Sequence, residues 1–482
     1  MRIRQFSIEG LGHLSTLIAD ESRGVAAVID PRRDVDAYLS AAAEDDLRIT
    51  HVVETHLHND YVSGGRELAT MTGATHVIGA GASLAYEHRP LTDGDAFDVG
   101  RLRFRALATP GHTPEHLSYA VADGARADDP LLLFTGGSLL VGSVGRTDLL
   151  GEANAVAYAR DQFRSVREVI LGHEDYVTVY PTHGAGSLCS AGIAAATSST
   201  IGYERRHNAR LQPTEVEGFI RALLRDQPAF PRYFARMRPT NQAGPRLLGA
   251  RIPDPHPVPV DEVRAALARD ALVIDARQPA AHALSHITGS VSIPAGSSFG
   301  TWLGWVVEPD RPLILVLDDP ADWDDLVRQA LRIGYEDVVG HLQGGIQGWA
   351  DDGGELESSG RLTIHQLASR VSTGGTDAPF VIDVRQPSEY SGGHVPGSRH
   401  IGAGDLPQRL AELPRDRPIA TICGSGYRSS VAASLLRRAG FEDVSWVANG
   451  VPAWEAAGFP VEAGLGGELA PALPVSSGHS QS

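Results

Sequence analysis

Short apolar runs, punctuated by polar turns and by stretches of helical spacing, recur along the whole chain. Val25 to Asp30 is one such run, ends in Asp-Pro and predicts a strand. Asp34 to Ala43 predicts a helix. Ile49 to Glu54, rich in β-branched residues, predicts a second strand that opens onto a histidine-rich loop. This alternation over the first ~120 residues points to a mixed α/β layer fold. Pro239, Pro245, Pro253, Pro255, Pro257 and Pro259 crowd the stretch between Arg238 and Val260. So many prolines cannot sustain a helix, which predicts a linker over residues 241–258.

The second half repeats itself. Leu272-Val-Ile-Asp-Ala-Arg-Gln-Pro279 returns as Phe380-Val-Ile-Asp-Val-Arg-Gln-Pro387, and Gly334-Tyr-Glu-Asp-Val338 returns as Gly440-Phe-Glu-Asp-Val444. Each copy closes on a Gly-rich turn and a tryptophan, Trp349 or Trp454. A period of ~100 residues is too long for a solenoid unit, so the copies are tandem domains with parallel sheets flanked by helices. The expected division is 1–240, the linker 241–258, repeats at 259–356 and 361–463, and a flexible Gly/Ser/Pro-rich tail at 464–482.

Composition narrows the function. The 482 residues carry 42 basic and 59 acidic side chains, a net charge of −17, which disfavours nucleic acid as a partner. No apolar stretch approaches the ~18–20 residues of a membrane helix. The opening residues lack the apolar segment of a secretory signal, which predicts a cytoplasmic protein. With only Cys189 and Cys423, a disulfide framework or a Cys-rich zinc module is excluded, and the 19 histidines are the better metal donors. Cys189 reads first as a small loop or core residue, with a redox or substrate-contact role as the alternative.

Pro418 to Ile422 predicts a buried strand, and Val431 to Arg438 a helix. Between them lies Cys423-Gly424-Ser425-Gly426-Tyr427-Arg428, where free backbone N–H groups and a positive helix end favour a thiolate. Gly424 and Gly426 let the backbone curl round the sulfur, and Arg428 adds a fixed charge. This loop, with Asp383-Val-Arg385 and Gly392-Gly-His-Val-Pro-Gly-Ser398, resembles the rhodanese family of sulfurtransferases across both repeats. The resemblance implies that Cys423 carries a persulfide, with the amides of Gly424, Ser425, Gly426 and Tyr427 around it. The first repeat has Leu317 or Asp318 at the cysteine position, which implies a structural or docking role.

Three histidine motifs each follow a strand-like run: His56-Leu-His58-Asn-Asp60-Tyr61, His112-Thr-Pro-Glu-His116, and Thr182-His183-Gly184. Loops at one sheet edge can bring such residues onto one ion. Residues 1 to 240 resemble the metallo-β-lactamase superfamily, whose αββα sandwich holds metal at that edge, and within it the persulfide dioxygenase branch. The expected fold is therefore an αββα sandwich followed by two rhodanese-like parallel-sheet α/β domains. The resemblance implies that Arg146 binds the anionic groups of a thiol substrate. It also implies iron on His56, His112 and an aspartate, but Gly137 stands at the aspartate's position and Tyr61 where histidine is frequent.

Three arrangements stay open. His56, His58 and His112 form an open three-histidine site suited to Zn(II); or the iron site is completed by water, an anion or Asp60; or the site is degenerate and binds weakly. A second metal position, left with Asp60 and His183, looks too poor to fill, so one ion, Fe(II) or Zn(II), is expected. The reading is a sulfur-metabolism enzyme acting on a glutathione-like thiol persulfide, with sulfane sulfur passing through Cys423 and oxidation of persulfide to sulfite by O2. Sulfite and thiosulfate are the expected small partners, and a homo-oligomer is compatible with the sequence. The alternatives are a metal-dependent thioester hydrolase and a non-catalytic sulfur carrier.

Overall fold

A computed structural model describes residues 1–225, 227–375 and 377–464. The tail expected at 464–482 lies, beyond Gly464, outside the described residues. The chain divides into two compact units, Met1–Gln278 with Ser292–Leu356, and Pro279–Val291 with the chain from Glu357 onward. No helix among the described residues is long and apolar enough to cross a membrane.

In the first unit two six-stranded sheets stack face to face. One orders Arg2–Ile8, His13–Asp20, Val25–Ile29, Arg48–Val53, Thr75–Gly79 and Arg89–Leu91; the other runs from Ala96–Val99 through Leu102–Ala108, Leu117–Asp123, Leu132–Gly136 and Thr178–Pro181 to Ser199–Thr200. Strand alternation sorts the side chains. Ala27, Ile29 and Val53 face Phe104, Tyr119 and Phe134 in the inter-sheet core. Ala26, Val28 and Val52 point outward, onto Tyr38 and Ala41 of helix Asp36–Glu44 and Leu68 of helix Gly65–Thr72. Helices Glu152–Arg164 and Val216–Leu224 cover the second sheet, where Leu133 and Val179 meet Ala159 and Phe219. The layers are α-β-β-α.

The same unit holds the first repeat's parallel core, Pro257–Val258, Val338–Leu342, Leu313–Val316 and Leu272–Asp275. In the second unit Gly360–Leu362, Val444–Val447, Ile419–Ile422, Phe380–Asp383 and Arg399–His400 form a wholly parallel sheet.

The proline-rich stretch departs from expectation. Helix Phe234–Ala243 runs straight through Pro239. Proline removes one helical hydrogen bond, at a cost of about 3 kcal/mol, but its ring faces solvent here while Phe234, Met237 and Asn241 are buried at helical spacing. Those contacts outweigh the missing bond. From Gly244 to His256 the chain has no regular element.

Candidate metal centre and cysteine loop

Asp30, at the end of strand Val25–Ile29, organises the histidine loops. Its carboxylate accepts from Thr55 N at 2.7 Å, from Thr55 Oγ1 at 2.8 Å and from Thr182 Oγ1, so the residues preceding His56 and His183 are tied to one point. Asn241, on the helix that the prolines concealed, donates to the carbonyls of His58 and Tyr61 at 3.0 Å each and accepts from Ser63 N at 2.9 Å. Neither residue stands out in the sequence except through the Asp-Pro that closes the strand.

The histidines meet at the sheet edge, all buried. Donor atoms of His56, His58 and His183 lie within 4.8 Å of one another, and so do those of His112, His183 and Cys189. The expected trio of His56, His58 and His112 is thus regrouped around His183, and Cys189 enters the pocket. Two further findings alter the sequence reading. The second position, expected to hold only Asp60 and His183, gains a sulfur donor. Arg146, expected to bind a substrate's anionic groups, is engaged within the protein: its buried guanidinium donates to Asp148 at 2.6 and 2.8 Å, to Leu188 O at 2.8 Å and to Pro228 O at 2.7 Å, and it stacks on Phe230. Four of its five N–H groups are consumed, so it pins the loop that carries Cys189.

Protonation follows from the surroundings. Burial, reinforced by neighbouring imidazoles, holds His56 well below its usual range, and burial with His183 brings His112 down to about 3. Both are neutral and free to ligate. Burial acts the same way on His58, but the Asp30 and Glu54 carboxylates prevail and raise it to about 10. Its Nε2 lies 2.8 Å from Glu54 and its Nδ1 is buried without a hydrogen-bond partner among the described residues, so a metal bound at Nδ1 would displace the second ring proton. Burial opposes ionisation of Asp60, yet His183 keeps its carboxyl well below the usual range.

The residues present fit a metal ion. His56 Nε2, His58 Nδ1, both ring nitrogens of His183 and both carboxylate oxygens of Asp60 are buried without a hydrogen-bond partner among the described residues. Buried polar atoms left unpaired are costly, and a cation would satisfy one nitrogen from each ring, while His183 Nδ1 lies 3.3 Å from Asp60 Oδ2. Gly137 is closed to a carboxylate, since a Cβ there would lie 2.2 Å from His112 Cδ2. His112 fills the space an aspartate needs. Tyr61, standing where histidine was expected, stacks on His58 and directs its hydroxyl to Asp30 O.

The cysteine loop of the second unit follows the expected strand-loop-helix order. Strand Ile419–Ile422 ends directly before Cys423, and helix Tyr427–Arg438 begins after Gly426. Gly426 N–H donates to Cys423 Sγ at 3.1 Å, and the sulfur lies 3.7 Å from Ser429 Oγ. Gly424, Ser425 and Tyr427 complete the same turn. Arg428 forms a two-pronged ion pair with Glu389 at 2.6 and 2.7 Å. The arginine's charge therefore arrives already partnered, through a glutamate the sequence reading did not single out.

The profile of the metallo-beta-lactamase superfamily matches residues 8–183, and that of the rhodanese-like domain matches residues 259–352 and 363–457. Persulfide dioxygenase ETHE1 of Bos taurus is 30% identical over 210 residues, 43% of this chain and 74% of that protein. The chain belongs to the metallo-beta-lactamase superfamily and carries two rhodanese-like domains. A metallo-beta-lactamase crystal structure from Staphylococcus aureus subsp. aureus COL shares the superfamily fold at TM-score 0.64 and 32% identity, covering 71% of this chain and 98% of that one. Thiosulfate sulfurtransferase GlpE of Pseudoalteromonas translucida is 40% identical over 77 residues, 16% of this chain and 73% of that protein. These likenesses support enzymatic activity in sulfur metabolism on small sulfur compounds, with a metal site in the superfamily fold.

Proposed function

We propose that the protein carries sulfane sulfur on Cys423 as a persulfide and processes a low-molecular-weight thiol persulfide at the metal centre of its first sandwich. The observation that supports this best is Cys423 Sγ receiving the Gly426 amide at the mouth of helix Tyr427–Arg438. Amide and helix end both favour negative charge on sulfur, whether thiolate or perthiolate. The Cys423 thiolate attacks the outer sulfur of thiosulfate, the S–S bond breaks, and sulfite leaves with the bonding pair. An acceptor thiolate or cyanide then removes that sulfur and regenerates the Cys423 thiolate.

In the sandwich, His56, His58, His112 and His183 would hold the ion, with Asp60 beside them. A metal there supplies Lewis-acid activation and, as Fe(II), a place for O2 during oxidation of the persulfide to sulfite. The protein's own part is to keep His56 and His112 neutral and to seal the pocket from water. A second reading, thioester hydrolysis with Zn(II), is favoured by the His56, His58 and His183 trio, which lacks a carboxylate.

Cys423→Ser is expected to abolish thiosulfate:cyanide sulfur transfer, and the wild-type chain to gain the mass of one sulfur atom after exposure to thiosulfate. Retained transfer in the variant, or no adduct on Cys423, overturns the sulfurtransferase assignment. For the sandwich, oxygen uptake with glutathione persulfide supports oxidation, whereas oxygen-independent thioester turnover by a zinc-loaded protein supports hydrolysis.

A further inference from the structure

We propose that Cys189 is a metal ligand, its thiolate joining His112 and His183 in a donor set that stands in for the carboxylate absent at Gly137. The inference rests on the reading of this pocket as a metal centre and deepens it by naming the sulfur donor and the class of ion.

Cys189 lies six residues beyond His183, in a segment with no regular secondary structure, and its placement is specific. Arg146 N–H donates to Cys189 O at 2.9 Å, and the Arg146 guanidinium holds Leu188 O at 2.8 Å. Cys189 N–H donates to Ser187 Oγ at 3.1 Å. The backbone is thus clamped on both sides, with the sulfur buried inside the His112, His183 and Cys189 cluster, whose donor atoms lie within 4.8 Å of one another. His112 Nδ1 is engaged with Arg146 O at 2.8 Å, which directs its Nε2 to the pocket. The clamp on Cys189 and the orientation of His112 thus share one residue, Arg146.

The independent sign of a ligand is the unpaired polar surface around the thiol. His183 is fully buried and neither of its ring nitrogens has a hydrogen-bond partner among the described residues, and the same holds for both oxygens of buried Asp60, although Asp60 Oδ2 lies 3.3 Å from His183 Nδ1. The thiol of Cys189 thus sits among groups able to ligate a metal, His112, His183 and Asp60. Two imidazoles, one thiolate and an adjacent carboxylate suit a thiophilic divalent ion, Zn(II), Co(II) or Fe(II), over Mg(II) or Ca(II). Binding converts the thiol to a metal-bound thiolate and releases one proton to solvent.

The test uses the full chain, stripped of metal and titrated with Co(II). In a Cys423→Ser background, Cys189 is the only thiol left. There the Co(II) protein is expected to show the intense near-ultraviolet band of thiolate-to-cobalt charge transfer. Cys189→Ser and Cys189→Ala in that background are expected to lose the band and to weaken Co(II) binding by about 10-fold or more. Thermal melts of the two variants confirm that they fold. Cobalt that binds with visible ligand-field bands but no charge-transfer band overturns the role of Cys189 and leaves the histidine centre standing. A band that survives in both Cys189 variants also overturns it. If no Co(II) binds, both the inference and the metal-centre reading fall.

Discussion

The chemistry at each centre is set by what its charged side chains already touch. At the cysteine loop, Arg428 is paired with Glu389, and although burial would raise the Glu389 carboxyl, Arg428 holds it below its usual range. A dianion such as thiosulfate must share that arginine with a resident carboxylate. Glu389→Gln is therefore expected to lower KM for thiosulfate by roughly fivefold, the effect of about 1 kcal/mol for a partly exposed charge pair. Steady-state sulfur transfer at varied thiosulfate reads this directly; an unchanged or raised KM removes Glu389 from substrate selection. Single residues were legible in the sequence where a motif carries them, as with Cys423, His56 and His183. Glu389, Asp30 and Asn241 were not, because each acts across a gap in the chain that only folding closes. The internal partners of Arg146 were half legible: Asp148 is two positions away, but Leu188 and Pro228 lie 42 and 82 positions away.

Elements were read best where a pattern repeats. Asp275 and Arg277 of the first repeat pair at 2.9 and 2.6 Å, and Asp383 and Arg385 of the second at 2.9 and 2.7 Å, so the recurring Asp-x-Arg is one structural device used twice. Strand registers agree as well: Asp275 opposes Val316 and Asp383 opposes Ile422, which sets Leu317 opposite Cys423 in the alignment of the repeats. The thiol is missing from an otherwise equivalent strand end. Helix Phe234–Ala243 was hidden because proline counts as a breaker, whereas its buried face belongs to a long-range contact. The helix after Cys423 depends on the glycine that caps its N-terminus. Gly426 has φ 101°, and a Cβ there would lie 2.4 Å from Ala448 O. Gly426→Ala is expected to cost about 1–3 kcal/mol through backbone strain. Moving the Gly426 amide that donates to the sulfur should also slow sulfur transfer by roughly tenfold. A urea melt and a transfer assay on the same preparation check both; wild-type values in each would show that the loop tolerates the change.

At the scale of the whole molecule, the sequence foretold tandem repeats and a preceding sandwich, but not that the first repeat, apart from Pro279–Val291, packs into one unit with the sandwich. The residues responsible are charged, and nothing in their local pattern distinguishes them from a solvated face. Asp34, with its side chain fully buried, receives Arg332 at 2.8 and 2.6 Å, with Arg328 at 3.3 Å and Arg32 at 3.2 Å nearby. Beside it Arg33 reaches Glu67 at 3.3 Å and Glu336 at 2.7 Å. The first repeat, lacking a thiol, is thereby built into the scaffold behind the histidine loops: Val62 N–H donates to Arg332 O at 2.7 Å. Burial alone would raise the Asp34 carboxyl, yet Arg332 and its neighbours hold it below the usual range. A carboxyl depressed in the folded state stabilises the protein above its unfolded value, roughly 3.9, and loses that contribution as pH falls through the folded value. Asp34→Asn, which keeps shape but removes charge, leaves Arg332 buried without its counter-ion and is expected to cost about 3–5 kcal/mol at pH 7. The deficit should begin to shrink as pH falls below about 4, where the unfolded chain's carboxyl takes up a proton, and should vanish only once pH passes the depressed folded value and the native carboxyl is protonated too. Urea midpoints of both proteins across that range decide the matter. Equal midpoints at pH 7 would mean that apolar packing, not this ion cluster, joins the first repeat to the sandwich.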